Sequence, residues 1–156
     1  MSHRHTCRRY QDNDTPGQEN ARANKHGSEI EDYTREWTFN HNTFDFIHLR
    51  WLMGSVPDWY AFFSEAYKAT KPGGWVQSLE PSCLYKSDHA EITDESALGQ
   101  WGKFYVEGGK KMGNSCLVFE EELQRKGMEA AGFTDIAEHN FKVRLSSEFY
   151  VVGVVC

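Results

Sequence analysis

The sequence predicts an α/β fold: a sheet with helices on its faces and an antiparallel strand pair near its C-terminal end. Three observations predict it. Residues 43–81 read strand, helix, Lys71-Pro72-Gly73-Gly74-Trp75, strand, which is one crossover unit with its punctuation. Two further helical patterns follow between Thr93 and Ala131. Two runs rich in valine and aromatics then flank Ser146-Ser147, which implies an antiparallel pair at a sheet edge.

Each element has a local reason. Residues 1–28 hold almost no large apolar side chain and are rich in Arg, Asn, Asp, Gln and Gly, so a disordered tail is expected there and a domain over 29–156. Glu29 to Tyr33 is a candidate short strand end. Thr34 to Asn42 carries Trp37 and Phe39 and closes in turn residues, Asn40-His41-Asn42. Phe44 to Leu49 is a short apolar run that suits a buried parallel strand.

Ser55-Val56-Pro57-Asp58 opens a helix, with Ser55 as the expected cap and Asp58 favourable at the positive end of the helix dipole. Trp59, Phe62, Phe63, Ala66 and Tyr67 follow at helical spacing and form a wide apolar face. Gly73 and Gly74 are expected to stop the helix, and Trp75 to Leu79 is the next strand. Two such strands with a helix between them require a crossover. Thr93-Asp94-Glu95 begins another helix, with Leu98, Trp101, Phe104 and Tyr105 on one side and four glycines weakening it. Phe119 to Ala131 is a charged helix ending at Gly132. Phe133 to Leu145 and Glu148 to Val155 are the final strands.

The 156 residues suit one domain, and aromatics at 14% supply a core. Formal charge is −6, which opposes nucleic-acid binding through phosphate neutralisation. The charge is uneven: residues 1–28 carry a net +2 and residues 29–156 a net −8. The five tryptophans are too scattered for a nucleic-acid stacking platform. Cys7, Cys83, Cys116 and Cys156 are far apart and form no CxxC, so reduced thiols and an intracellular location, cytoplasmic or nuclear, are expected. No secretory signal and no membrane span are visible in the sequence. His3, His5 and Cys7 are metal-ligating by type, but without a second cluster no metal site is expected.

Five segments in order carry a resemblance: 29–37 (EIEDYTREW), 44–52 (FDFIHLRWL), 54–60 (GSVPDWY), 71–75 (KPGGW) and 96–103 (SALGQWGK). Together they resemble the fungal LaeA-like class I S-adenosylmethionine (SAM)-dependent methyltransferase family, over roughly Glu29 to Lys142. The resemblance implies a partial Rossmann-like methyltransferase sheet. It also implies SAM as cofactor, a role in fungal secondary metabolism, and a small-molecule or protein methyl acceptor reached by direct transfer without metal.

Residue by residue, the resemblance implies that Asp32 accepts from the adenine amino group, with Tyr33 presenting its backbone N–H to the ring. A carboxylate facing an exocyclic donor is sensible chemistry; the alternative is a solvated acidic turn. His48, Leu49 and Arg50 end the central strand, where α/β sheets bind ligands, and the resemblance sets them beside the methionine part of SAM. The alternative is a partly buried histidine and an arginine paired with Asp58 or Glu80. Glu80 would face a substrate pocket, or be a carboxylate held by turn amides before Pro81. Trp101 and Tyr105 resemble part of an aromatic lid, or are plain core. No catalytic residue is assigned.

The family's Gly-x-Gly-x-Gly loop and the acidic residue that binds the ribose hydroxyls have no counterpart in the sequence; residues 1–28 hold no strand, no glycine loop and no acidic strand end. The family's helical insertion before the last strand is also missing. Methyl transfer depends on holding donor and acceptor at near-attack distance. A truncated member with impaired catalysis is therefore expected. The competing expectation is a non-catalytic interaction module, self-associating or binding a regulatory protein through an unpaired sheet edge.

Overall fold

The computed structural model describes residues 8–9, 27–28, 32–144 and 149–155. Its strands are β1 (Arg8–Arg9), β2 (Gly27–Ser28), β3 (Phe44–Arg50), β4 (Thr70–Pro81), β5 (Lys86–Ser87), β6 (His139–Arg144) and β7 (Phe149–Val155). Its helices are α1 (Trp59–Ala69), α2 (Ala97–Met112) and α3 (Leu123–Ala131). β3 and β4 pair in parallel across α1, with Ile47 opposite Val76 and His48 opposite Gln77. β7 returns antiparallel between β4 and β6, and β5 pairs with it further along. The α/β class, the crossover and the C-terminal antiparallel pair are as the sequence predicts.

The differences are local. β1 and β2 form a two-residue antiparallel ladder where no strand is expected. The proposed strand end at Glu29–Tyr33 is a turn over its described residues, Asp32 and Tyr33, closed by the Arg35 amide on the Asp32 carbonyl at 3.1 Å.

Helix α1 starts at Trp59 with Asp58 as its cap, and not at Ser55. The Asp58 carboxylate accepts from the Tyr60 and Ala61 amides at 2.9 and 3.0 Å. Pro57 is the reason: the residue before a proline is driven out of the α region, so the helix cannot begin until Val56 and Pro57 are passed. Nor do Gly73 and Gly74 stop it. Thr70 does, donating its amide to the Ala66 and Tyr67 carbonyls and its hydroxyl to Ala66 at 2.7 Å.

Lys71 to Gly74 instead belong to β4, where the ladder slips between Phe44 and Phe46 as Thr70 to Trp75 pass opposite. Gly73 takes up the irregularity with φ +81°. At Gly74 a Cβ would stand 2.9 Å from the Asp45 carbonyl oxygen, so β3 approaches too closely for any side chain there.

Trp59, Phe62, Phe63, Ala66 and Ala69 of α1 are buried against Phe44, Ile47, Val76, Val118 and Met128. Tyr67, expected on that face, lies at its rim and meets Phe133 edge-on at 5.0 Å. Helix α3 covers α1 with Gly127 and Met128. It starts at Leu123, after a turn over 119–122, rather than at Phe119.

Helix α2 begins at Ala97 behind a Ser96 cap and inverts its expected packing. Its buried residues are Gly102 and Gly109, while Phe104 is 71% exposed and Trp101 and Met112 also face solvent. The glycines let the helix lie close over Cys83, Leu84 and Cys116. Opposite the helix-covered face of the sheet, Phe46 and Trp75 are Cα partners and are 56% and 66% exposed. Among the described residues β3 pairs with β4 alone, so its other edge has no strand beside it.

Candidate functional site

The C-terminal ends of β3 and β4 are organised by one buried carboxylate. Glu80 is fully inaccessible. Its Oε2 accepts from the Leu52 and Met53 amides, both at 2.8 Å, and Oε1 accepts from Leu52 at 2.9 Å. The Trp51 amide donates to the Leu79 carbonyl at 3.1 Å, and the Ser55 amide to the Leu52 carbonyl at 2.9 Å. Three consecutive N–H groups of the loop after β3 are thus fixed to the end of β4. Burial pushes the Glu80 carboxyl up to about 7, against the opposing effect of the amides that favour its charged form.

Trp51 opens this loop in a left-handed backbone conformation, φ +60°, rare for a bulky side chain. Its indole is 58% exposed, while Leu52 beside it is buried. Tyr33 packs edge-on against Phe62 at 5.9 Å and hydrogen-bonds with Ser55. Burial raises the Tyr33 phenol, and the Glu80 charge adds to that rise. Tyr33, the 51–55 loop and Glu80 therefore form one cluster.

The sequence-derived candidates divide. Asp32 is exposed. Its Oδ1 accepts from the Thr34 amide at 3.1 Å and the Thr34 hydroxyl at 2.6 Å, and its Oδ2 faces Arg35 Nε at 3.2 Å. The Thr34 hydrogen bonds come first in holding its carboxyl below the usual range. That is a solvated acidic turn with lone pairs still open.

Leu49 packs against the core from its rim. His48 points onto the open sheet face, where Nδ1 meets Gln77 Oε1 at 2.8 Å and the ring stacks with Phe46 at 6.4 Å. Arg50 is exposed and pairs with neither Asp58 nor Glu80, because Asp58 caps α1 and Glu80 is taken up by loop amides. Glu80 is inaccessible to solvent, and the amides that hold it come from residues 52–53 across the sheet, not from a turn before Pro81. Trp101 and Tyr105 meet at 5.5 Å on α2, with Tyr85 hydrogen-bonded to Trp101; Trp101 is exposed and not plain core.

Sequence reasoning missed Trp51 and the Leu52 and Met53 amides. A left-handed backbone at a tryptophan has no signal in residue type. The pairing of a strand-ending Glu with loop amides 27 and 28 positions away is visible only once the parallel register is known. His3, His5 and Cys7 lie outside the described residues; among the described residues no three metal-ligating side chains come together. No described helix is long and apolar enough to cross a membrane.

Known proteins resemble this chain. "Methyltransferase pytC" of Aspergillus terreus is 26% identical over 118 residues, which are 76% of this chain and 36% of that protein. "Secondary metabolism regulator LAE1" of Cochliobolus heterostrophus is 30% identical over 113 residues, 72% of this chain and 36% of that one. The chain spans about a third of the length of these curated relatives. Among solved structures, phosphoethanolamine N-methyltransferase 2 of Haemonchus contortus, in complex with phosphomonomethylethanolamine and S-adenosylhomocysteine, aligns at 28% identity and a TM-score of 0.44, over 70% of this chain and 22% of that one. The family model of the methyltransferase domain matches residues 4–138, and with that match across most of its length the chain belongs to the methyltransferase domain family.

Proposed function

We propose that this chain is a methyltransferase-type domain of fungal secondary metabolism that, as these 156 residues alone, holds SAM weakly and has impaired methyl transfer. The single observation that carries the reading is the parallel β3–α1–β4 unit whose strand-end loop is preset by Glu80, in a sequence without a Gly-x-Gly-x-Gly run. The relatives' names support the setting, and SAM comes to this chain through the family resemblance.

The residues fit the cofactor at one end only. The Asp32 carboxylate keeps open lone pairs that suit an exocyclic amino donor, and Tyr33 stands beside the strand-end loop. At the other end His48 is turned away to Gln77. No Gly-x-Gly-x-Gly run is available to approach the methionine part, and the described residues offer no strand-end carboxylate free for ribose hydroxyls. With the donor unheld, no transfer step is assigned to particular residues. In an active form of the domain the acceptor is a small molecule or a protein side chain. Cys83 and Cys116 are buried free thiols, with burial pushing Cys83 up to about 12, which accords with a reducing compartment, cytoplasmic or nuclear.

Isothermal titration with SAM and S-adenosylhomocysteine tests this reading. The expected result is no saturable heat in the micromolar range; a micromolar or tighter dissociation constant contradicts it.

The open sheet face favours a second reading, a non-catalytic interaction module. Phe46, His48 and Trp75 form an exposed aromatic surface beside the edge of β3 that pairs with no strand among the described residues. Such surfaces associate. In size-exclusion chromatography with light scattering, this reading expects oligomers or aggregates. A clean 18.0-kDa monomer with a sharp cooperative melt removes it.

A further inference from the structure

We propose that Trp51 is a stacking platform for a planar aromatic ring of a bound ligand at the C-terminal end of β3. Its place is the first support. It is the residue after β3, and open α/β sheets bind ligands outside the carboxyl ends of their strands.

Its conformation is the second. A tryptophan at φ +60° persists only where its surroundings over-determine it, and such residues cluster at ligand sites. Here the determinants are explicit. The Trp51 amide is bound to Leu79, the next two amides to the Glu80 carboxylate, and Ser55 closes the loop on Leu52. These bonds turn Leu52 into the core and leave the indole 58% exposed, so a large apolar ring is held in water by a buried polar clamp. Glu80 is accordingly a positioning residue for Trp51.

The surroundings set the ligand class. Arg50 precedes it in sequence, exposed and without an ion-pair partner among the described residues, and Ser55 of the same loop hydrogen-bonds Tyr33. An indole face takes any planar ring, and a cation on the preceding residue suits a ring with acceptor atoms on its edge. The ring comes either from a nucleoside or from an aromatic methyl acceptor. Only that choice rests on the methyltransferase reading.

The test follows the tryptophan indole N–H signals of the full chain by NMR, with adenosine, indole and, as a non-aromatic control, cyclohexanol as probes. Trp51→Phe assigns the Trp51 signal by removing it, and binding to this variant and to Trp51→Ala is read from the backbone amide shifts of residues 52–55; the phenylalanine retains binding within about threefold, because stacking tolerates exchange of one aromatic for another. Trp51→Ala keeps the fold, since the ring is exposed, and weakens binding about tenfold or more. Glu80→Gln broadens or moves the Trp51 signal in the free chain.

A shift with adenosine alone supports a nucleoside ring, and with indole alone an acceptor ring. Either supports the platform even if S-adenosylhomocysteine gives no heat in the calorimeter, so the two readings fail separately. The proposal is overturned if neither ring moves the Trp51 signal, if Trp51→Ala binds as tightly as the native chain, or if cyclohexanol binds equally.

Discussion

Between about pH 4.5 and about pH 8, Glu80→Gln gains about 3 kcal/mol of stability relative to the native chain. The sign follows from burial. The folded carboxyl titrates at about 7 and the unfolded one near 4.5. In that interval the folded state binds a proton that the unfolded state has lost, so the Glu80 contribution is fully present below about 4.5 and falls away as pH rises through 7. Glutamine is a neutral isostere and cannot follow that change. Denaturant melts of both proteins across the range read it directly, and parallel stability curves contradict it.

Glu80→Ala behaves differently. It strands the Leu52 and Met53 amides without an acceptor and costs about 2–4 kcal/mol, because each buried donor left unsatisfied carries its own desolvation penalty.

Replacing Gly73 and Gly74 together by valine destabilises the chain by about 3–5 kcal/mol, through two separate mechanisms. At Gly73 the cost is conformational: its φ of +81° opposes a β-branched side chain, although the space around it is open. At Gly74 the cost is steric: a Cβ would stand 2.8 Å from Thr70 Cγ2 and 2.9 Å from the Asp45 carbonyl, so β3 and β4 must separate. Because β3 pairs with β4 alone among the described residues, the strain is not shared with a second neighbour. Thermal melts of the two single variants and the double variant separate the contributions. An unchanged melting temperature means that Lys71–Gly74 is a loose loop and not part of the parallel ladder.

What was legible in the sequence was whatever local periodicity encodes. The α1 face, the β3 and β4 runs and the C-terminal pair were readable because apolar spacing and turn residues are local signals. A positive φ at one or other of Gly73 and Gly74 was readable for the same reason, and the structure puts it at Gly73. Its role was not: helix stop and strand irregularity demand the same glycine, and only the slip of β4 against Phe44 and Phe46 separates them.

Helix α2 misled because its apolar stripe at Trp101, Phe104 and Tyr105 invites burial, whereas the close approach of its glycine face to Cys83 and Cys116 decided its orientation. At the site, Tyr33 and Glu80 converge on one loop, and Glu80 clamps that loop through its amides. His48 follows the strand's alternation onto the open face, since successive side chains of a strand point to opposite sides.

The strand-end loop is proposed to be set for a ligand in a sequence without a Gly-x-Gly-x-Gly run. The most direct test is an amide NMR titration of the chain with S-adenosylhomocysteine. The expected result is fast-exchange shifts confined to Asp32–Tyr33 and the 51–55 loop, with no saturation below about 1 mM. Saturating, slow-exchange shifts at micromolar ligand contradict the account, as do shifts that leave those two segments unmoved.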